Sequence, residues 1–496
     1  MPRKVYSNFV AGVNTNVSPL LAPDNSTYSQ DGVVTSYKLG AAMKDLGYQR
    51  VGNVAQASES ILGMFDFQQT PATQKILITV DDATSDDTQL FYNSAGTWTE
   101  IGAAETAWAN KAGINVEMEG FIDYCFFVGY GATDGFLPVG SLTGTTFSTS
   151  TNVTNMPGAK FIRRYRDRLY VANCDISATA YPYRVYYSSV PSAGAITWTQ
   201  ATDFFDVDYS NEITGMGMNW DLLILFTKRH AFYYNQNSKK HLWAVGCDNH
   251  RTIKTQGLYM FFANRDGVWL SQNGGEPQNI AGNVIDFIRN GTPTTFFAEI
   301  TDEEYHLYVG TVTVNGVAYT NTLLTFNVAS ASWRWRELAH NLTILARYDD
   351  AGDDRLYMGD TAGNVWNKTK YTDATLIYSD GDVAGTAGSN IFASFETRMD
   401  PMDDPRVLKR VKAVTVYAER AQNAHIQMRS VDNNTRGVIK YKPLGTLNKY
   451  INHFEGLDTN FNLLQFQVTE FSTLPYFSVF SIEVDYDIVG EPVNSK

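Results

Sequence analysis

Residue types able to do chemistry are present in this chain but lie far apart. Of the seven histidines, His230, His241 and His250 fall close enough to sit on adjacent strands, where three imidazoles would bind zinc. Their spacing matches no ligand motif, and satisfied surface histidines are the plainer reading. The acidic pairs Asp66/Asp123, Asp203/Asp206 and Glu303/Glu304 are of the kind that hydrolyses a glycosidic bond as acid and base. In an acidic chain they read first as solvated loop charges. The loops VDDATSDD (Val80 to Asp87), DDAGDD (Asp349 to Asp354) and SDGDVAG (Ser379 to Gly385) are dense in oxygen ligands, yet none has the spacing of a calcium-binding EF-hand. The sequence contains no nucleophile elbow, phosphate-binding loop, zinc-protease helix or dinucleotide fingerprint. The reading is a protein that is no enzyme and needs no cofactor or metal.

Two basic runs stand out instead. KFIRRYRDRLYVAN carries Arg163, Arg164 and Arg166, and RVLKRVK carries Arg406, Lys409, Arg410 and Lys412. These seven are the candidate interface residues. A protein partner is the first reading of the second run, a plain solvated strand the next, and DNA phosphates the last. For the first run, salt bridges to neighbouring acidic loops come before nucleic-acid contact.

The elements that must position these residues are strands. Rings make up 13% of the 496 residues and charged residues only 18%, with 38 glycines. That balance favours short pleated strands joined by many turns over helices. The net charge of −13 disfavours wrapping nucleic acid in a basic groove, while leaving room for a weakly repulsive channel through which DNA slides. Cys125, Cys174 and Cys247 form no disulfide or metal pattern and read as small buried hydrophobes. The N-terminal residues lack a signal-peptide run, and no stretch approaches the roughly 18 apolar residues of a membrane span. Assembly in a reducing cytoplasm is expected.

Residues 1–55 read as an irregular arm with first strands, its segment Ser18 to Ser29 lying across a neighbour's surface. Over 56–375 a unit recurs: an apolar strand, a polar turn and a second apolar strand. The paired strands are Ile61 to Phe67 with Lys75 to Val80, Val116 to Ile122 with Tyr124 to Gly129, Lys160 to Arg164 with Asp167 to Asn173, and Ile213 to Met218 with Asp221 to Thr227. They continue with Gln256 to Ala263 and Gly267 to Ser271, Phe296 to Ile300 and Glu304 to Val309, and Ile344 to Tyr348 and Asp354 to Gly359. Units start about 40 to 55 residues apart, the period of propeller blades. Leu90 to Ile101, Val185 to Gln200 and Leu323 to Leu338 share an aromatic strand, a small-residue turn and a returning Trp, as a third and fourth strand would. The expected fold is all-β: a six- or seven-bladed β-propeller with an N-terminal arm and a C-terminal β-sandwich. A plain array of sandwiches is the alternative. Residues 376–392 read as a linker. Residues 393–496 read as the sandwich, on the charged/apolar alternation of Arg406 to Ala421 and the strands that follow. The only helix expected is a short one over Asn283 to Arg289.

Three stretches carry a family resemblance: RRYRDRLYVAN; EITGMGMNWDLLILFTKRHAFYYN leading through KTQGLYMF into FFANRDGVWLSQNGGEPQNIAGNVIDFIRN; and RVLKRVKAVTVYAE with the closing FSVFSIEVDYDIVG. In residues and order, from about residue 160 to the end, the chain resembles the β-propeller tail proteins of short-tailed bacteriophages, called packaged-DNA stabilisation proteins, tail hubs or nozzles. The resemblance implies a virion protein, assembled in the host cytoplasm as a homohexameric ring below the portal and adaptor. Such a ring lines the DNA exit channel, helps retain packaged double-stranded DNA without sequence specificity, and docks fibres or a tail tip. The resemblance carries no catalytic residue across. One rival is a virion-associated propeller that binds or hydrolyses surface glycans, in the manner of sialidases. YNSAGTW and SAGAITW share the Gly-x-Thr-Trp end of the sialidase turn but not its Asp. Another is a propeller scaffold of host type.

Overall fold

The computed structural model describes residues 2–14, 20–23, 25–27, 29–35, 40–70, 73–82, 84–94, 96–207, 211–236, 238–350, 352–373, 376–377, 379–382, 388–402, 404–419, 421, 423–432, 435–444, 451–470 and 477–489. The fold is all-β. Among these residues the α-helices are Gly102–Ala107 and Ile285–Asn290, six residues each; the second overlaps the expected short helix.

Residues 61–100, 115–148, 158–206, 215–243, 254–279, 297–337 and 342–368 form seven successive antiparallel sheets, each with its strands in chain order. In several sheets the second strand is strongly apolar. Leu222–Phe226 (LLILF) and Tyr124–Gly131 (YCFFVGYG) are nearly continuous hydrophobic runs. Such runs suit a strand covered on both faces, and the packing supplies that cover. Phe67, Leu77 and Leu90 of sheet one share a core with Val116, Cys125 and Phe127 of sheet two. The same holds for each following pair of sheets. Ile61, Ile78 and Phe91 of sheet one likewise pack with Ala346, Tyr357 and Val365 of sheet seven. The first strands of successive sheets lie against one another, and Leu342–Asp350 lies against Ile61–Thr70.

Two elements differ from the sequence reading. In the fifth unit, Tyr259–Asn264 is the second strand; the first is the three-residue Lys254–Gln256, too short and polar to show as an apolar run. In the third sheet the strand returning beside Thr179–Tyr187 is Phe204–Asp206. Trp198 sits instead in a bridge to Ser188, inside a longer connection.

The N-terminal residues are woven into the rest of the chain. Arg3–Ser7 pairs with Ser478–Ile488, Ser29–Asp31 with Ala393–Glu396, and Ala42–Lys44 with the start of Ser478–Ile488. Tyr48–Arg50 then becomes the next strand of sheet seven, antiparallel to Val365–Lys368 and parallel to Ser379–Asp382. Within 376–392, Ser379–Asp382 and Ser389–Asn390 are thus strands of that sheet. Of the segment Ser18 to Ser29, Ser18, Pro19, Asp24 and Tyr28 lie outside the described residues, as do residues 383–385 of the third oxygen-rich loop. The C-terminal residues build two five-membered paths, 33–34/42–44/478–488/409–419/451–461 and 29–31/393–396/463–470/425–432/435–443. Val411, Val414, Val416, Ile482 and Val484 of the first share one core with Phe395, Ile426, Phe466 and Val468 of the second.

Candidate functional site

Side chains of a strand alternate between its two faces. In Asn115–Phe121, Val116 and Met118 enter the core between sheets, so Glu117 and Glu119 both face the other way. In Phe297–Thr301, Ala298 and Ile300 are buried and Glu299 alone among its neighbours is not. Arg163, Lys254 and Arg347 lie on first strands of other sheets. His250 and Arg251 come from the 3-10 turn His250–Thr252, whose start is capped by the Asn249 carboxamide accepting from the Arg251 amide at 3.1 Å. Asn249 also donates to the carbonyls of Thr294 and Phe296, at 2.8 and 2.7 Å, which ties the turn to sheet six. Gly215 permits the close approach of this turn: a Cβ there would stand 2.5 Å from Ile253 and 3.1 Å from the His250 backbone.

Glu117, Glu119, Glu299, Arg163, Arg251, Lys254 and Arg347 line a cavity of about 280 Å³ where the first strands come together. His250 Nδ1 accepts the Met216 amide N–H at 3.1 Å, while its Nε2 lies 2.9 Å from Arg163 Nη2 and 3.1 Å from Glu117 Oε2. Burial pushes the His250 imidazole below its usual range, and the Met216 amide leaves no room for a second ring proton. Arg163 Nη1 lies 3.5 Å from Glu117 and 4.0 Å from Glu119. Burial alone would raise Glu117; His250 and Arg163 outweigh it and hold the carboxyl below the usual range. Burial raises Glu119, with Arg163 only partly offsetting it. The carboxyls of two residues on one strand face are thus pushed in opposite directions. Lys254 pairs with Glu299 at 3.0 Å and Arg347 with Asp354 at 2.7 Å. Arg251 donates to the Thr343 carbonyl and lies 4.7 Å from the Phe297 ring centre; among the described residues no carboxylate stands within 4 Å of it.

No family model matches the chain, and no curated protein matches it. Among solved structures, one described as the AfRom2 CNH domain aligns with 67% of this chain and 100% of its own, at 6% identity and a TM-score of 0.40.

The expected interface residues do not form one surface. Arg163 lines the cavity, Arg164 lies over the Phe121 ring at 5.6 Å, and Arg166 binds Asp221 (Nε to Oδ1, 2.9 Å) at a turn. In the second run, Arg406 pairs with Asp404 at 2.9 Å and is 71% exposed. Lys409 is buried, donating to the Val407 carbonyl at 3.1 Å. Arg410 donates to Asn460 at 3.1 Å, and Lys412 lies 3.6 Å from Asp487. The histidine trio is divided: His230 and His241 stand 3.2 Å apart, whereas His250 lies against Glu117 at 3.1 Å. Of the acidic pairs, Asp206 binds Arg184 at 2.6 Å and Glu304 binds Arg334 at 2.6 Å. Asp66 lines the cavity, accepting from Gln74 at 2.9 Å and the Asp349 amide at 3.0 Å. The oxygen-rich loops serve their own backbone: Asp82 accepts from the amides of Thr84 and Ser85, and Asp349 from that of Gly352. Among the described residues no group of three potential ligands could hold a metal ion. The sequence reading missed Glu117, Glu119, Arg251, Lys254 and Glu299. Their one signal is a charged residue alternating with apolar ones, as in VEMEGF and FFAEI.

A second ionic cluster lies where the woven N-terminal residues meet sheets six and seven. Arg336 bridges Asp45 (3.2 Å) and Asp380, and Lys368 also reaches Asp45 at 3.1 Å. Burial would raise Asp45, but Lys368 and Arg336 hold it well below its usual range. Beside them is a cavity of about 370 Å³, lined in part by Glu304, Arg334 and His306. His306 is pushed down to about 3 by burial and sits between the hydroxyls of Thr301 and Thr325, at 3.1 and 3.2 Å. Further along, Lys44 pairs with Glu470 at 2.5 Å, both buried.

Proposed function

We propose that the seven sheets are the blades of a β-propeller closed by the N-terminal strand Tyr48–Arg50, and that the two terminal sheets form a β-sandwich. On this reading the chain is a structural subunit of a bacteriophage tail. It forms a nozzle or hub ring, homohexameric, below the portal and adaptor. The ring lines the DNA exit channel, helps retain packaged DNA and docks fibres or a tail tip.

The observation that carries the proposal is the way the two parts are tied. One N-terminal segment supplies strands to both terminal sheets and to sheet seven. Buried pairs Arg336–Asp45 and Lys44–Glu470 pin that segment on either side. Breaking one member of a buried pair costs about 3–5 kcal/mol, so the parts resist separate motion. A subunit that must hold pressurised DNA and carry fibres needs that rigidity. The sequence stretches from residue 160 onward add the family expectation, and the net charge of −13 suits a wall along which DNA slides.

Electron cryo-microscopy of intact source particles tests the proposal. The expected result is this chain as a symmetric ring around the DNA axis at the portal vertex. Particles that lack the chain, or that retain their DNA normally when its gene is deleted, would overturn it.

A further inference from the structure

The cavity at the meeting of the first strands has an uneven charge pattern. Arg163 is matched by Glu117 and Glu119, Lys254 by Glu299, and Arg347 by Asp354. Arg251 is the cation of that wall with no carboxylate within 4 Å among the described residues. A guanidinium carries five N–H donors. This one hydrogen-bonds the Thr343 carbonyl and rests on the Phe297 ring. A half-buried charge so placed is costly unless an anion completes it, and a carboxylate does so with two parallel hydrogen bonds.

We infer that this cavity binds a small hydroxy-carboxylate of the size of one hexuronic acid, with Arg251 gripping its carboxylate. The volume of about 280 Å³ lies just under the range for drug-sized ligands and suits a single sugar ring. Asp66, Glu117, Glu119 and Glu299 also line the cavity, so it favours a ligand of one negative charge, held at Arg251, over a phosphate dianion. Glu117 and Glu119 present carboxyl groups that pair with ligand hydroxyls. Phe297 and Ile344 supply apolar wall for a ring face. The inference is separate from the tail role and stands or falls without it.

Isothermal titration of the full chain with D-glucuronate, D-glucose and inorganic phosphate tests it. Glucuronate should bind at least about tenfold tighter than glucose or phosphate, the worth of one charge-assisted pair. Arg251→Gln should abolish that preference and Arg251→Lys should keep part of it, while Glu119→Gln should leave the preference in place and weaken both sugars. A thermal melt of each variant separates lost binding from lost folding. Should Arg251→Gln fail to fold, Arg251→Lys and the wild-type ligand comparison decide. Equal binding of glucuronate and glucose, no glucuronate binding up to millimolar concentration, or unchanged glucuronate affinity in folded Arg251→Gln would each overturn the inference.

Discussion

Replacing Asp31 with asparagine should stabilise the fold above neutral pH and leave it nearly unchanged at pH 5. Asp31 is 8% exposed and ends the strand Ser29–Asp31, where the terminal sheets meet sheet six. Its Oδ1 accepts the Glu337 amide at 3.2 Å. The charged groups facing it are Glu337, Asp380 and Arg336, and Arg336 is already engaged by Asp380 and Asp45. Burial pushes the Asp31 carboxyl up to about 7 from an ordinary 3.8. Between those values the folded state keeps a proton that the unfolded state releases, so stability falls as pH rises from about 4 to about 7 and then levels. At 1.36 kcal/mol for each tenfold change in proton affinity, the full loss is about 4 kcal/mol as an upper bound. Asparagine keeps the Oδ1 acceptor and cannot ionise. Its new N–H₂ needs a partner, which takes back about 1 kcal/mol. Urea unfolding at pH 5 and pH 8, followed by tryptophan fluorescence, should show Asp31→Asn gaining about 2–3 kcal/mol on the wild type between the two pH values. An equal difference at both, or a loss at pH 8, would refute the reasoning by showing that Asp31 is held ionised by Arg336.

Three further perturbations follow from the packing. Arg336→Met strands Asp380 and half of the contact to Asp45, and should lower stability by about 3–5 kcal/mol in the same urea assay; a loss below about 1 kcal/mol would mean that the bridge is solvated. Gly47→Ala places a Cβ 1.8 Å from the Ser379 carbonyl, so the backbone must part, at about 3 kcal/mol; protease should then cut near Tyr48–Arg50 sooner than in the wild type. Cys125, Cys174 and Cys247 are all buried, with the Cys247 thiol pushed up to about 11 by burial, so none should react with a thiol reagent until the chain unfolds; rapid labelling of the native protein would contradict this packing.

How far the sequence speaks depends on what each strand touches. Strands covered on both faces are legible because they must be apolar throughout. Leu222–Phe226 and Arg168–Ile176 stand where the hydrophobic runs are. Strands with one covered face are legible by alternation, as in Lys409–Glu419, where Val411, Val414, Val416 and Ala418 are buried. The first strand of sheet five, KTQ, has neither signature. It is held by pairing with Tyr259–Asn264, a neighbour that its own composition does not reveal. Ser379–Asp382 reads as a linker for the same reason: its Asp380 is buried only because Arg336, 44 residues away, meets it. The cavity charges were illegible as a site because each lies alone on its strand, and only the meeting of several sheets turns Glu117, Arg163, His250 and Arg251 into neighbours.

The placement of the N-terminal residues also sets an order on folding. Tyr48–Arg50 adds to sheet seven only once Val365–Lys368 is formed, some 315 residues later in the chain. Arg3–Ser7 and Ala42–Lys44 need Ser478–Ile488, the last described strand. Contacts of such separation carry a large loop-closure cost before they return any stability. The cores between adjacent sheets are local by comparison and can assemble first. The N-terminal weave then closes last, and the buried pairs of Asp45, Lys44 and Asp380 form with it. A chain built this way gains its ionic locks only after both ends are in place, so a truncated or half-folded copy lacks them. In the proposed ring of identical subunits, that dependence would keep incomplete copies from bearing load.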